Sequence, residues 1–219
     1  MGQSAAYVIR EAKTTADIDL CARVRADVFC AERGMIPEEA IDDGRELDDY
    51  DSLDCVSFLA TDDRGIPVGT IRILFPGGPP LPIEKRFGIS LTPTRRAAEV
   101  SRLAVSGREN RGEARAHLPM LGLCRAVYDV LNKEVDDAYA IMEPRLFSNL
   151  TAMGYPFIQL GDAKMFDDDP IPTIPTLLVT QAILPSLLDK ERNGNFQGLK
   201  LGSFYAKPFD GHVTLADLV

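Results

Sequence analysis

CVSFLAT (Cys55–Thr61), DDRG (Asp62–Gly65) and VGTIRILF (Val68–Phe75) form the stretch on which the fold turns. Two runs rich in Val, Ile and Phe flank a polar, glycine-ended turn, the signature of a β-hairpin. Upstream, Ala6–Arg10 reads as a short first strand. Asp17–Cys30 places Ile18, Leu20, Cys21, Val24 and Val28 at spacings of three and four, which predicts a helix closed by Gly34. Met35–Asp54 is acidic and irregular, the profile of a functional loop. Downstream of the hairpin a Pro- and Gly-rich excursion (Pro76–Pro82) precedes a strand at Glu99–Val105 and a polar turn at Ser106–Glu113. Then come a helix at Ala116–Leu131, a strand at Ala138–Met142, a helix at Pro144–Met153 and a strand at Tyr155–Leu160. In the tail, Leu177–Glu191 reads as helix and Leu199–Lys207 as an edge strand. This order predicts an α/β fold with a central mixed, twisted sheet and helices on both faces.

The chain is long enough for one full core at 219 residues, and 45% apolar with 26% charged residues is ordinary for a globular protein. No repeat or linker divides it, so the expectation is one domain over 1–219, with 167–219 as a C-terminal extension packed on it. A net charge of −9 argues against nucleic acid as a partner, because phosphate binding needs a surplus of Lys and Arg on one surface. The N-terminal residues lack the pattern of a signal peptide, and Ala6 stands where a myristoylation motif has Ser or Thr. Ile171–Leu188, the longest apolar-rich stretch, is interrupted by Pro172, Pro175 and Pro185 and is too short for a comfortable span. The expectation is a cytoplasmic protein without stable membrane insertion. Four scattered cysteines and only two histidines give no metal-ligand spacing.

Four groups of residues carry the chemistry. Arg25 and Phe29 stand at i and i+4 and share a helix face; taken alone, such an arginine is ordinarily a surface residue. Glu46, Asp48 and Asp51 crowd three carboxylates into six residues, which costs stability unless cations answer them. Arg72 lies inside the apolar strand between Ile71 and Ile73 and requires a carboxylate partner, which the acidic loop can supply. Glu99, Ser101 and Arg102 open an otherwise apolar strand, where Glu99 and Ser101 share a face by the period of two. Each has a bland counterpart: a solvated acidic loop, or charge on an edge strand.

Together they form a pattern. RADVF (Arg25–Phe29), ERG (Glu32–Gly34), Glu46-x-Asp48-x-x-Asp51, RIL (Arg72–Leu74) and EVSR (Glu99–Arg102) resemble, in order, the acyl-homoserine-lactone synthases among the GNAT-like acyltransferases. VFCAERG, DGRELDDYD, VGTIRIL, PLPIEKRFG and EVSRLAV resemble still more a sister group, the bacterial long-chain N-acyl amino acid synthases. The lactone-forming enzymes carry a tryptophan six residues after the phenylalanine; here Met35 stands there, and the chain has no tryptophan.

The resemblance implies a GNAT fold and transfer of a fatty acyl group from a carrier thioester to the amine of an amino acid or similar small molecule. It implies Glu99 as general base, Ser101 as relay or water holder, and a bulge in their strand. Arg25, Phe29, Glu46, Asp48, Asp51, Arg72 and Arg102 are the expected substrate-binding set. GNAT enzymes that use coenzyme A resemble one another in a Q/R-x-x-G-x-G/A loop, whereas Glu109–Ala114 reads ENRGEA, with acidic residues that would repel a pyrophosphate. This favours acyl carrier protein, with its phosphopantetheine thioester, as co-substrate and partner. No cofactor is expected to bind tightly. Arg95, Arg96, Arg108, Arg111 and Arg115 form a local basic surplus suited to docking an acidic carrier. Two alternatives stand beside this reading: a true lactone synthase using S-adenosylmethionine, and a non-catalytic module that binds acyl carrier protein.

Overall fold

The computed structural model describes residues 6–52, 55–107, 117–167, 169–194 and 196–219. The chain forms two compact units. The first comprises Met1–Ile73, Arg102–Val127 and Phe209–Asp217; the second comprises Leu74–Ser101, Tyr128–Pro208 and Leu218–Val219.

In the first unit, β1 (Ala6–Glu11) lies antiparallel between β2 (Cys55–Thr61) and β9 (His212–Thr214), and β3 (Pro67–Leu74) follows β2. The hairpin turn is built by Asp62. Its Oδ1 accepts from the N–H groups of Arg64 and Ile66, at 2.9 and 2.8 Å, and Gly65 takes a φ of 79°. An Asp that satisfies its own turn is why DDRG works between two strands. α1 (Thr15–Arg25) starts on a reciprocal cap between Thr14 and Asp17. Its Cys21 packs with Ala12 of the preceding loop and Leu59 of β2. At Ala26 the helix widens into a π-helical turn running to Glu32. Such turns often accompany functional sites, because one extra residue per turn re-aims the side chains around them.

In the second unit, β4 (Ala97–Val105) begins parallel to β5 (Asp137–Met142), with Ala97 opposite Asp137. β5 is antiparallel to β8 (Asp169–Val179), which also pairs with β6 (Phe157–Gln159) and β7 (Lys164–Phe166). α2 (Pro82–Phe87) precedes β4; α4 (Pro144–Met153), α5 (Ile183–Gly194) and α6 (Leu201–Ala206) complete this unit. Three elements pass between the units along the chain: β3 at its last residue, β4, and α3 (Leu118–Glu134). The sheet is mixed, as expected from the element order.

Three readings of the sequence are corrected. Leu177–Val179, expected as the start of a helix, ends β8, and the helix begins at Ile183. Pro172 and Pro175 conceal this strand, since proline is rare in interior strands. Leu199–Lys207, expected as an edge strand, holds α6 instead. Leu201, Phe204 and Tyr205 are buried at helical spacing, and Gly202 fits where an added Cβ would lie 2.7 Å from the Leu188 backbone. The strand at the end of the sheet is β9, three residues long. α2 within PLPIEKRFG also went unread; Pro82 starts it and Gly88, at φ 68°, ends it.

Candidate active site

The first unit assembles six charged side chains into a closed ring. Arg25, the last residue of α1, grips Asp51 in a bidentate fork, Nη1–Oδ1 2.9 Å and Nη2–Oδ2 2.7 Å. Its Nε lies 2.6 Å from Glu46 Oε2, an ion pair that lacks the alignment of a hydrogen bond. Arg72 of β3 grips Asp48 in a second fork, at 2.7 and 2.8 Å, and shares its Nη1 with Asp51 Oδ1 at 2.8 Å. Arg102 closes the circuit, its Nη2 lying 2.8 Å from both Glu46 Oε1 and Asp48 Oδ2. Each arginine thus bridges two carboxylates and each carboxylate two arginines, so three positive and three negative charges cancel.

The loop explains the E-x-D-x-x-D spacing. Asp51 Oδ2 accepts from the Asp48 N–H at 2.9 Å, and Asp48 Oδ1 accepts from the Tyr50 N–H at 2.9 Å. The Glu46 N–H donates to Ala22 O at 3.1 Å, tying the loop to α1. Tyr50, itself buried, lays its ring 5.9 Å from the Arg72 guanidinium. Burial opposes charge on Asp48, but the Arg72 hydrogen bonds and the Arg102 charge outweigh it and hold the carboxyl well below its ordinary range. The same balance, burial against Asp48 and Asp51, raises Arg72.

The strand carrying Glu99, Ser101 and Arg102 breaks its regular alternation. Glu99 is 1% exposed, and residues 100 to 103 are all half-buried. Arg102 adopts φ 54°, a left-handed conformation rare for a residue with a Cβ. The backbone of β4 thus departs from extended geometry at Arg102. Glu99 Oε2 accepts from the Ile83 N–H at 2.9 Å, in the first turn of α2. That N–H has no partner within its helix, and a carboxylate suits it.

Of the residues expected at the site, Arg25, Glu46, Asp48, Asp51, Arg72 and Arg102 come together. Phe29 does not join them; it packs with Val24, Val28 and Ala104 in a cluster onto which Met35 and Ile36 fold. Arg95 and Arg96, expected as part of a local basic surplus for carrier docking, are paired within the second unit. Arg95 pairs with Asp137 through Nη2–Oδ1 at 2.6 Å, and Arg96 pairs with Asp136 through Nη2–Oδ1 at 2.9 Å. Arg108, Arg111, Arg115 and the Glu109–Ala114 turn lie outside the described residues.

Two contacts escaped the sequence reading. Ile83 holds Glu99 through its backbone, which leaves no side-chain signal. Glu32 of the ERG triplet accepts from Ser106 Oγ and the Gly107 N–H, both at 2.8 Å, and pins the end of β4. Only the recurrence of ERG in the motif hinted at it. Among the described residues no cluster of His, Cys, Asp and Glu is arranged to hold a metal ion, and no helix is long and apolar enough to cross a membrane.

The mixed sheet with its helices has a GNAT-like fold. The family model for N-acyl amino acid synthase FeeM matches residues 21–167, and the chain belongs to that family of acyl-transfer synthases. A relative, the acyl-homoserine-lactone synthase of Rhizobium radiobacter, is 30% identical over 148 residues, covering 64% of this chain and 68% of the relative. The structure of FeeM, an N-acyl amino acid synthase from uncultured soil microbes, is 20% identical with a TM-score of 0.64, covering 83% of this chain and 95% of that one. BjaI, a CoA-dependent acyl-homoserine lactone synthase solved with MTA, is 25% identical with a TM-score of 0.64, covering 84% of this chain and 89% of that one.

Proposed function

We propose that this acyltransferase moves a fatty acyl group from the phosphopantetheine thioester of acyl carrier protein to the amine of an amino acid. The observation that carries the choice of acceptor is Met35. It stands where the lactone-forming enzymes have tryptophan, and it folds onto the Phe29 cluster. A thioether chain there offers no flat aromatic face on which an adenosine could stack, which favours a free amino acid over S-adenosylmethionine.

In this reading the neutral amine attacks the thioester carbonyl. Glu99 accepts the amine proton, directly or through a water held by Ser101, as the C–N bond forms. A backbone N–H of β4 freed near Arg102 stabilises the oxyanion. Collapse of the tetrahedral intermediate expels the pantetheine thiolate, which takes up the proton. The arginine–carboxylate ring positions the acceptor. Arg95, Arg96, Arg108, Arg111 and Arg115 stand as the proposed carrier-docking set, with the first two acting through pairs that an acidic partner would have to compete for.

Incubation with acyl carrier thioester or acyl-CoA, and with either free amino acids or S-adenosylmethionine, tests the reading by mass spectrometry. The expected product is an N-acyl amino acid formed faster from the carrier protein. Release of methylthioadenosine would give the lactone synthase instead. Thioester binding with no turnover across a broad amine panel would leave a carrier-binding module.

A further inference from the structure

The second unit holds a stack of two aromatic rings between two cations. The Arg86 guanidinium carbon lies 4.2 Å from the centre of the Phe166 ring, and Lys164 Nζ lies 5.3 Å from the centre of the Phe87 ring. Between them Phe166 and Phe87 meet edge to face, 5.3 Å apart at 79°. Arg86 and Phe87 belong to α2; Lys164 and Phe166 belong to β7, where Met165 between them is 62% exposed. Neither element is built to stand alone. α2 has six residues, well short of what a helix needs to persist in water by itself. β7 pairs with β8 from Asp169 to Thr173, whereas among the described residues β5 and β6 meet β8 from Ile174 onward. β7 and the start of β8 are thus a two-stranded arm, marginal without further support. The stack joins arm and helix.

α2 is also the helix whose first turn holds Glu99. Ile83, fully buried, donates its N–H to Glu99 Oε2 at 2.9 Å, and Phe87 stands at i+4 from Ile83 on the same helix face. The ends of α2 are closed internally: Glu84 Oε2 accepts from the Leu81 N–H at 2.9 Å, and the Gly88 N–H donates to Glu84 O at 3.0 Å. Those bonds shape the helix without fixing it to the sheet. Ile83 anchors the first turn in the core, so the last turn is what the arm must hold. We infer that Phe166 is a positioning residue for Glu99: its ring seats the last turn of α2 and thereby fixes the Ile83 N–H and the carboxylate bound to it. This rests on Glu99 as the base of acyl transfer and adds what places that base. A backbone donor cannot be re-aimed by a rotamer change; it moves only with its helix. Without the ring, α2 and Glu99 drift together, and a base out of line with its proton is slow.

The test compares Phe166→Ala with the parent chain in turnover and in hydrogen exchange. With acyl carrier thioester and the fastest L-amino acid acceptor, Phe166→Ala is expected to lower kcat by about tenfold to a hundredfold, the cost of a misplaced reacting group, with both KM values unchanged. Phe166→Tyr keeps the ring and is expected to restore turnover. In a Glu99→Gln background Phe166→Ala is expected to lower kcat no further, because the ring acts through Glu99. An unchanged kcat in folded Phe166→Ala, or an equal further fall in the Glu99→Gln background, overturns the inference. Exchange at the Ile83 amide, followed by NMR in the isotopically labelled full chain, needs no turnover. It is expected to quicken in Phe166→Ala and to return to the parent rate in Phe166→Tyr. Exchange at Ile83 that Phe166→Ala leaves unchanged sinks the clamp whatever the base, whereas normal turnover of Glu99→Gln removes the base and this role with it. Should Phe166→Ala fail to fold, Phe166→Leu keeps apolar volume without a ring face; parent-level kcat and exchange in that variant would equally defeat the role.

Discussion

The ring in the first unit and the Arg95–Asp137 and Arg96–Asp136 pairs in the second are made of the same chemistry. Both join guanidinium to carboxylate at hydrogen-bonding distance. They differ in surroundings. Arg72 is 1% exposed, while Arg95 and Arg96 are 41% and 59% exposed. A pair in water gains little, because solvent already stabilises each ion and salt screens the attraction. A buried set is interdependent, since removing one ion leaves its partners charged and dry. The ring is thus a poor source of net stability but a strong constraint on geometry, which suits the acceptor-positioning role proposed for it.

Arg72→Ala should show the largest effect. It strands Asp48 and Asp51 and is expected to cost about 3–5 kcal/mol in urea unfolding, with acyl transfer lost; a loss no larger than that of Arg96→Ala would erase the contrast between the regions. Glu99→Gln should fold normally and lower turnover by about 10²-fold, as expected for loss of a general base. Near-normal turnover in that folded variant would remove Glu99 from the chemistry. Gly122→Ala probes packing without charge. Its Cβ would lie 2.8 Å from Ile9 and Val213 side-chain carbons, and overpacking of this kind costs about 1–3 kcal/mol.

Acid sharpens the comparison. Asp48 in the folded chain sits well below its ordinary 3.8, so the unfolded chain takes up that proton first as pH falls. Its contribution is complete above about pH 5 and is lost progressively below 3.8, toward the folded value. Asp136 is lowered from 3.8 to about 2, chiefly by the Arg96 hydrogen bond, and its contribution fades between those values. Lying at the surface and paired with the exposed Arg96, it should matter far less. Asp48→Asn should therefore flatten the acid limb of a stability–pH curve and Asp136→Asn should barely move it. Arg96→Ala should have the smallest effect of all, a shift in unfolding midpoint close to the scatter of repeat measurements.

Most of the sheet was legible because its strands obey local rules. The hairpin at Cys55–Leu74 carries alternation, β-branched residues and a self-satisfying Asp turn, and α4 was read from Pro144 to Met153 as it stands. β8 was not legible, because a strand with Pro170, Pro172 and Pro175 survives only where its neighbours tolerate the missing donors. α6 was misread because Leu201, Phe204 and Tyr205 are too few to announce a helical period on their own. For the site, the identities in the ring were legible from motif order. The core position of Phe29 and the pairing of Arg95 and Arg96 were not, since both depend on residues distant in sequence.

By itself the sequence determined which residues carry charge in apolar company, the order of the strands from β1 to β6, and the family those motifs define. The partners were decided in three dimensions: which arginine answers which carboxylate, and which backbone N–H holds Glu99. The physical reason is that ionic and hydrogen-bond partners are chosen by distance and burial. Those quantities exist only once α1, the loop at Glu46–Asp51, β3 and β4 have been brought together by the packing of their apolar neighbours.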